Sequence, residues 1–182
     1  MKISNIPIGI DNQPFIIAEM SGNHNHSLGR AIEIVEAAAS SGAHAIKLQT
    51  YTPDTITLDV SVGEFFIDDE ENLWKGKSLH QLYREAYTPW EWHEPIMKRA
   101  NELDMLCFST PFDETAVDFL EDLNVPAYKI ASFENTFLSL IEKVASTKKP
   151  IIISTGLASI SELDDMVRTI RNVGCEDFIL LK

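Results

Sequence analysis

Two lysines stand inside otherwise apolar, strand-like runs, Ala45-Ile46-Lys47-Leu48-Gln49 and Tyr128-Lys129-Ile130-Ala131-Ser132. An ammonium is costly to desolvate, so a lysine in such a run needs an anion close by. Either each pairs with a glutamate as a buried ion pair, or the two together hold an anionic ligand. The hydroxyls favour the ligand. Thr110, Ser132 and Ser154 stand at the ends of neighbouring runs. Point-charge ammoniums with directional hydroxyls make a cradle for phosphate and carboxylate groups. Glu19 and Glu134 fall at or just beyond the ends of two runs. A carboxylate beside such a cradle can act as general base or orient a water or a sugar hydroxyl; its alternative role is counter-ion to a lysine. Gln49 is two residues beyond Lys47, so both side chains project to the same side of a strand.

Other polar groups carry less. His24 and His26 lie in the loop-like stretch Ser21-Gly22-Asn23-His24-Asn25-His26 with no third ligand near in sequence. Asn23 and His24 therefore read as loop-ordering or substrate hydrogen-bonding groups rather than as a metal site. His44, His80 and His93 are assigned no chemistry. Trp90 and Trp92 read as packing residues rather than as a sugar platform.

The elements that must position these groups follow a rhythm. Apolar runs at 15–19, 45–49, 106–110, 128–132 and 151–155 each end in polar residues and lead into a helix-like stretch, and a sixth run covers 178–181. Continuously apolar strands alternating with helices indicate an α/β fold with a parallel sheet covered on both faces. Ser27, Asp113 and Ser159 or Ser161 are placed to cap helices, Asn135 or Thr136 to start another. Thr88-Pro89 reads as an N-cap followed by proline at the first helical position. The stretch from Thr50 to Tyr87 is too long for an ordinary loop and too rich in aromatics (Phe65, Phe66, Trp74, Tyr83, Tyr87) for disorder. Within it, 78–86 reads as a short helix.

Polar groups recur at every strand end, as at a barrel mouth, whereas an open doubly wound sheet concentrates them at one switch point. No Gly-rich dinucleotide fingerprint follows any strand. The expected fold is therefore a (β/α)8 TIM-barrel type, truncated after about the sixth strand. Residues 1–182 form one domain in this reading, the N-terminal portion of a barrel.

A net charge of −13 argues against partners that need basic patches, namely nucleic acid and anionic membrane surfaces. It also requires local cations to attract any anionic substrate. No signal-peptide pattern or bilayer-length apolar run occurs. The two cysteines are too far apart in sequence to suggest a disulfide framework. Cytoplasmic localisation is expected.

Taken in order, Ile17-Ala18-Glu19, Asn23-His24-Asn25, Ile46-Lys47-Leu48-Gln49-Thr50, Phe108-Ser109-Thr110-Pro111-Phe112-Asp113, Ala127-Tyr128-Lys129-Ile130-Ala131-Ser132 and Ser154-Thr155-Gly156 resemble the sialic acid synthases. Met20 to Asn25, Leu73-Trp74-Lys75-Gly76 and Tyr87-Thr88-Pro89-Trp90-Glu91-Trp92 are most similar to that family's pseudaminic acid branch. The resemblance implies a condensation of phosphoenolpyruvate with an open-chain acetamido-deoxy sugar to give a nine-carbon acid and phosphate. It implies that Lys47, Thr110, Lys129, Ser132 and Ser154 hold phosphoenolpyruvate. Glu19 and Gln49 would face the reacting centre, and Glu134 would orient the sugar or a metal-bound water. It further implies a divalent metal, manganese or magnesium, with ligands in a later part of the family's barrel. A C-terminal antifreeze-like domain and a homodimer are implied for the full-length enzyme. This chain is accordingly expected to be inactive alone, which phosphate release would test. Alternatives are an N-acetylneuraminate or legionaminic acid synthase, a heptulosonate or octulosonate phosphate synthase, and a non-catalytic, ligand-binding or self-associating barrel fragment.

Overall fold

The computed structural model describes residues 1–182. A short antiparallel hairpin, β1 (Lys2–Ile3) with β2 (Ile6–Pro7), precedes the main sheet. Its Ile3 is fully buried in the larger core cluster, with Ala45, Phe108 and Ile152. Six parallel strands follow: β3 (Ile17–Glu19), β4 (Ala45–Thr50), β5 (Leu106–Pro111), β6 (Tyr128–Ile130), β7 (Ile151–Ser154) and β8 (Phe178–Leu181). Their spatial order is their chain order, β3-β4-β5-β6-β7-β8. An open doubly wound sheet reverses order at its switch point. No reversal occurs here, so the six strands make a barrel-type sheet.

The helices are α1 (Leu28–Ser40), α2 (Pro53–Ile56), α3 (Leu79–Ala86), α4 (His93–Glu102), α5 (Glu114–Asp122), α6 (Leu138–Ser146) and α7 (Ile160–Asn172). Local capping sets several boundaries. Ser27 accepts the Arg30 amide and Asp113 accepts the Thr115 and Ala116 amides, while Ser159 and Glu162 form a reciprocal capping box. Each cap satisfies amides that the first turn leaves unpaired. The layers are equally regular. Ile46, Leu48 and Cys107 pack outward against Ala31, Val35, Ile96 and Ala100 of α1 and α4. The larger cluster joins β6 and β7 to α5, α6 and α7.

Two helix starts differ from expectation. Pro89 does not open a long helix. A 3-10 turn over Trp90–Trp92 comes first, and α4 begins at His93. The cause is tertiary: the Trp90 indole donates to the Tyr51 carbonyl at 3.2 Å and stacks on Phe119 with centroids 4.6 Å apart. Neither Asn135 nor Thr136 caps α6. Its first turn follows Phe137, with no side-chain cap. Asn135 instead donates its amide to the carbonyls of Ser154 and Thr155, at 3.2 and 2.7 Å.

Candidate active site

Period-two geometry sorts the strand residues onto two faces. Ile46 and Leu48 face the helices, so Lys47 and Gln49 face inward. Parallel register carries the inward face across the sheet: Glu19 lies beside Lys47, Lys47 beside Phe108, Gln49 beside Thr110, and Lys129 beside Ile152. Ser154, two residues beyond Ile152, shares that face. The inner face at the carboxyl ends of the strands thus holds Glu19, Lys47, Gln49, Thr110, Lys129 and Ser154. In barrels this is the end where ligands bind.

The two lysines are only 6% and 9% exposed. Lys47 Nζ lies 3.5 Å from Glu19 Oε1, and the Glu19 side chain is largely open to solvent. Burial holds the Lys47 ammonium below its ordinary pKa, with Glu19 partly offsetting the shift. Lys129 Nζ donates to Ser154 Oγ and to the Ile130 carbonyl, both at 2.7 Å. An ammonium has three N–H groups, so one remains for a ligand. Burial and then repulsion from Lys47 bring Lys129 down to about 8, against opposing attraction from Glu19 and Glu134. Two ammoniums near enough to repel one another thus share the inner face.

Two buried polar atoms have no partner: Thr110 Oγ1 and Glu134 Oε2. Buried polar groups are nearly always hydrogen-bonded, so these two are candidates for ligand contact. Burial raises the Glu134 carboxyl above its ordinary range, while its own backbone amide and Lys129 pull the other way.

The position of Lys129 predicts a pH effect on stability. Its folded pKa of about 8 lies below the ordinary 10.5. Between those values the unfolded chain binds a proton that the folded chain does not, so stability rises with pH across the window. Below pH 8 the charged, buried ammonium is a cost. Lys129→Met removes it, so the variant's advantage in urea unfolding is expected to narrow by about 1–2 kcal/mol from pH 7 to pH 10, after allowance for solvent screening. A difference that stays constant over that range would refute the assignment.

Ser132 is placed differently from the lysines. It makes no hydrogen bond to Lys129; it packs against Gly156, beside a cleft of about 310 Å³ lined also by Asn135, Leu157 and Glu162. Gln49 is half-buried on the inner face and makes no side-chain hydrogen bond.

The histidines are structural. His24 is buried; its Nδ1 accepts the His26 amide, which leaves Nε2–H to donate to Thr88 Oγ1, both at 3.1 Å. Both ring nitrogens are engaged in ordering the loop. His93 is fully buried, and that burial depresses its pKa to about 4. Neutral, with its proton assigned to Nδ1 facing the Pro89 carbonyl, it accepts from Thr50, which in turn accepts from Ser109 at 2.6 Å. This chain ties α4 to β4 and β5 on the outer face.

The roles of two residues escaped the sequence reading. Asn135 pins the end of β7. Tyr83, on α3, reaches the mouth because the 51–87 segment folds back over it. The Tyr83 ring meets Tyr51 edge-on at 5.6 Å, and Tyr51 meets Phe112 at 5.3 Å; those two residues follow the ends of β4 and β5. The helix is held by its Ser78–Gln81 capping box and by His80, whose Nε2 lies 2.8 Å from Asp54 Oδ1 of α2. The one signal for Tyr83 in the sequence was the aromatic content of that long segment.

Known proteins resemble this chain in sequence and fold. The chain is 47% identical over 169 residues to the pseudaminic acid synthase of Helicobacter pylori, covering 93% of this chain and 49% of that protein. It is 36% identical to the N,N'-diacetyllegionaminic acid synthase of Legionella pneumophila, covering 93% of this chain and 48% of that one. The chain spans about half the length of these curated relatives. Among solved structures, the N-acetylneuraminic acid synthetase of Leptospira borgpetersenii, in complex with citrate, superposes with a TM-score of 0.82 at 30% identity, over 99% of this chain and 57% of that one. The barrel-type sheet is thus that of the sialic acid synthases. Residues 34–182 match the NeuB family, and the chain belongs to it.

Proposed function

We propose that this chain supplies the phosphoenolpyruvate-binding half of a nonulosonic acid synthase, of the pseudaminic acid kind. The observation that carries the reading is the pair of buried, mutually repelling ammoniums, one with a free N–H, beside the unpartnered Thr110 hydroxyl. A small, multiply charged anion relieves that repulsion and satisfies the hydroxyl together. The higher identity to the pseudaminic than to the legionaminic relative supports the sugar branch.

In the proposed reaction, C3 of phosphoenolpyruvate attacks the aldehyde carbon of an open-chain acetamido sugar and a carbon–carbon bond forms. Water adds at C2, and phosphate leaves with cleavage of its C–O bond. Lys47 and Lys129 hold the carboxylate and phosphate charges, with Thr110, Ser132 and Ser154 giving direction. Glu134, with its raised pKa, can hold a proton at the aldehyde oxygen as that oxygen gains charge. Glu19 and Gln49 face the same volume, and Glu19 can accept a proton from the attacking water.

The resemblance also implies a divalent metal, which would polarise the aldehyde. The residues here do not form a centre for one: no three His, Cys, Asp or Glu side chains converge. No step is therefore assigned to it. Two buried free thiols, Cys107 and Cys175, support the cytoplasm as the proposed compartment. No helix is long and apolar enough to cross a membrane.

Calorimetric titration tests the binding role. Phosphoenolpyruvate is expected to bind with micromolar to millimolar affinity, and more tightly than inorganic phosphate or pyruvate alone. Failure of phosphoenolpyruvate to bind would overturn the proposal.

A further inference from the structure

The Ser154 hydroxyl takes one of the three N–H groups of Lys129, at 2.7 Å. A second goes to the Ile130 carbonyl, also at 2.7 Å, so these two acceptors together aim the third at the ligand. Ile130 is the next residue of the same strand and moves with it. Ser154 is the last residue of β7, and its place depends on what holds that strand end. On the β8 side, Thr155 donates its amide and its hydroxyl to the Leu181 carbonyl, at 2.8 and 3.0 Å. On the β6 side, backbone pairing stops at Ile130 with Ile153, one residue short of Ser154. Asn135 takes over there. Its buried side-chain amide donates to the Ser154 carbonyl at 3.2 Å and to the Thr155 carbonyl at 2.7 Å.

We propose that Asn135 is a positioning residue for phosphoenolpyruvate: it fixes the Ser154 hydroxyl, and through it the direction of the free Lys129 N–H. The inference rests on the proposed function and adds to it a residue that does not itself touch the lysine. A carboxamide suits the task. Its NH2 carries two donors for two successive carbonyls, which a hydroxyl with one proton could not serve. The side chain is thereby withheld from α6, which starts with no side-chain cap although Asn135 stands just before it. A strong local preference has yielded to a contact 19 and 20 residues away. The same two loops meet a second time where Gly156 lies against Ser132, so the end of β7 is held at two points from the β6 side.

A double-mutant cycle, read by calorimetry with phosphoenolpyruvate, tests the proposal. Asn135→Leu keeps the branched shape of the side chain and removes both donors. It is expected to weaken binding about tenfold, and Ser154→Ala by a similar factor, since each disturbs one hydrogen bond of a charged group. Because Asn135 acts through that hydroxyl, the double variant is expected to lose about tenfold rather than about a hundredfold. Asn135→Leu combined with Thr110→Val, which shares no partner with Asn135, is expected to lose the product of its single effects. Affinity should also fall as pH rises past about 8, where Lys129 gives up its proton. In both single variants that fall is expected at lower pH, because an ammonium with fewer acceptors loses its proton more readily. Unchanged affinity in Asn135→Leu would overturn the inference. Losses that multiply in the Asn135 and Ser154 pair, or a pH profile that stays in place, would mark Asn135 as structural and overturn it too. Asn135→Ala adds no bulk and carries the same cycle should the leucine variant fail to fold; failure of both to fold would likewise make the residue structural. Failure of the unaltered protein to bind phosphoenolpyruvate is a different result, and it overturns the underlying function.

Discussion

Replacing either Lys47 or Lys129 by methionine is expected to weaken phosphoenolpyruvate binding by on the order of 10²-fold. Each ammonium is nearly buried, and truncating one partner of a buried charge pair, as each would form with the proposed ligand, costs about 2–5 kcal/mol. The two losses differ in their effect on the empty protein. Lys47 has Glu19 at 3.5 Å, and Glu19 is exposed, so its removal leaves a carboxylate that water solvates. Lys129 is buried against Ser154 and the Ile130 carbonyl. Its removal relieves a desolvated charge and its repulsion with Lys47, so Lys129→Met is expected to melt higher while binding worse. Stability and affinity moving in opposite directions is the signature of a cradle built for a ligand. Calorimetry and thermal unfolding on the same samples would check it. A Lys129→Met protein that binds phosphoenolpyruvate normally would remove the lysine from the site, and one that merely unfolds would make it a structural ion.

Gly156→Ala is expected to be the most damaging small substitution, at about 2–4 kcal/mol of stability measured by urea unfolding. Two independent terms add. The backbone at Gly156 has φ +54, where a side chain costs about 1 kcal/mol. A Cβ there would also sit 2.6 Å from Ser132 Cβ, far inside contact distance, so one of the two loops must move. Gly42→Ala isolates the first term, because its φ is +83 but nothing lies within 4 Å of the added carbon. Its cost should be about 1 kcal/mol. The close approach at Gly156 also positions Ser132, so the variant should weaken phosphoenolpyruvate binding, which Gly42→Ala should leave alone. Equal costs at the two glycines would show that the Ser132 contact relaxes freely.

Both predictions draw on features of unequal legibility. The sequence by itself determined whatever depends on neighbours within a few residues. Apolar runs and helical spacing located the strands and helices, and Ser27, Asp113 and the pair Ser159 or Ser161 announced three helix starts, of which Ser159 proved to be the last cap, because a cap acts over three residues. Lys47 and Lys129 were visible for a similar reason: a charge in an apolar run is anomalous whatever surrounds it. Only the tertiary structure decided the strand order, since pairing between distant strands leaves no local mark, and that order bears out the barrel expected from the polar strand ends. It also decided that Lys129 meets Ser154, 25 residues away, that Asn135 pins β7 rather than capping α6, and that Trp90 tightens the start of α4. Tyr83 belongs to the same class. Its place beside Tyr51 at the end of β4 depends on where α3 docks, which is set by His80 with Asp54 and by Tyr51, 26 and 32 residues from their partners. A residue whose role comes from a contact at that separation carries no local signature. The cradle and Glu134 were therefore legible in the chain, while the place of Tyr83 was not.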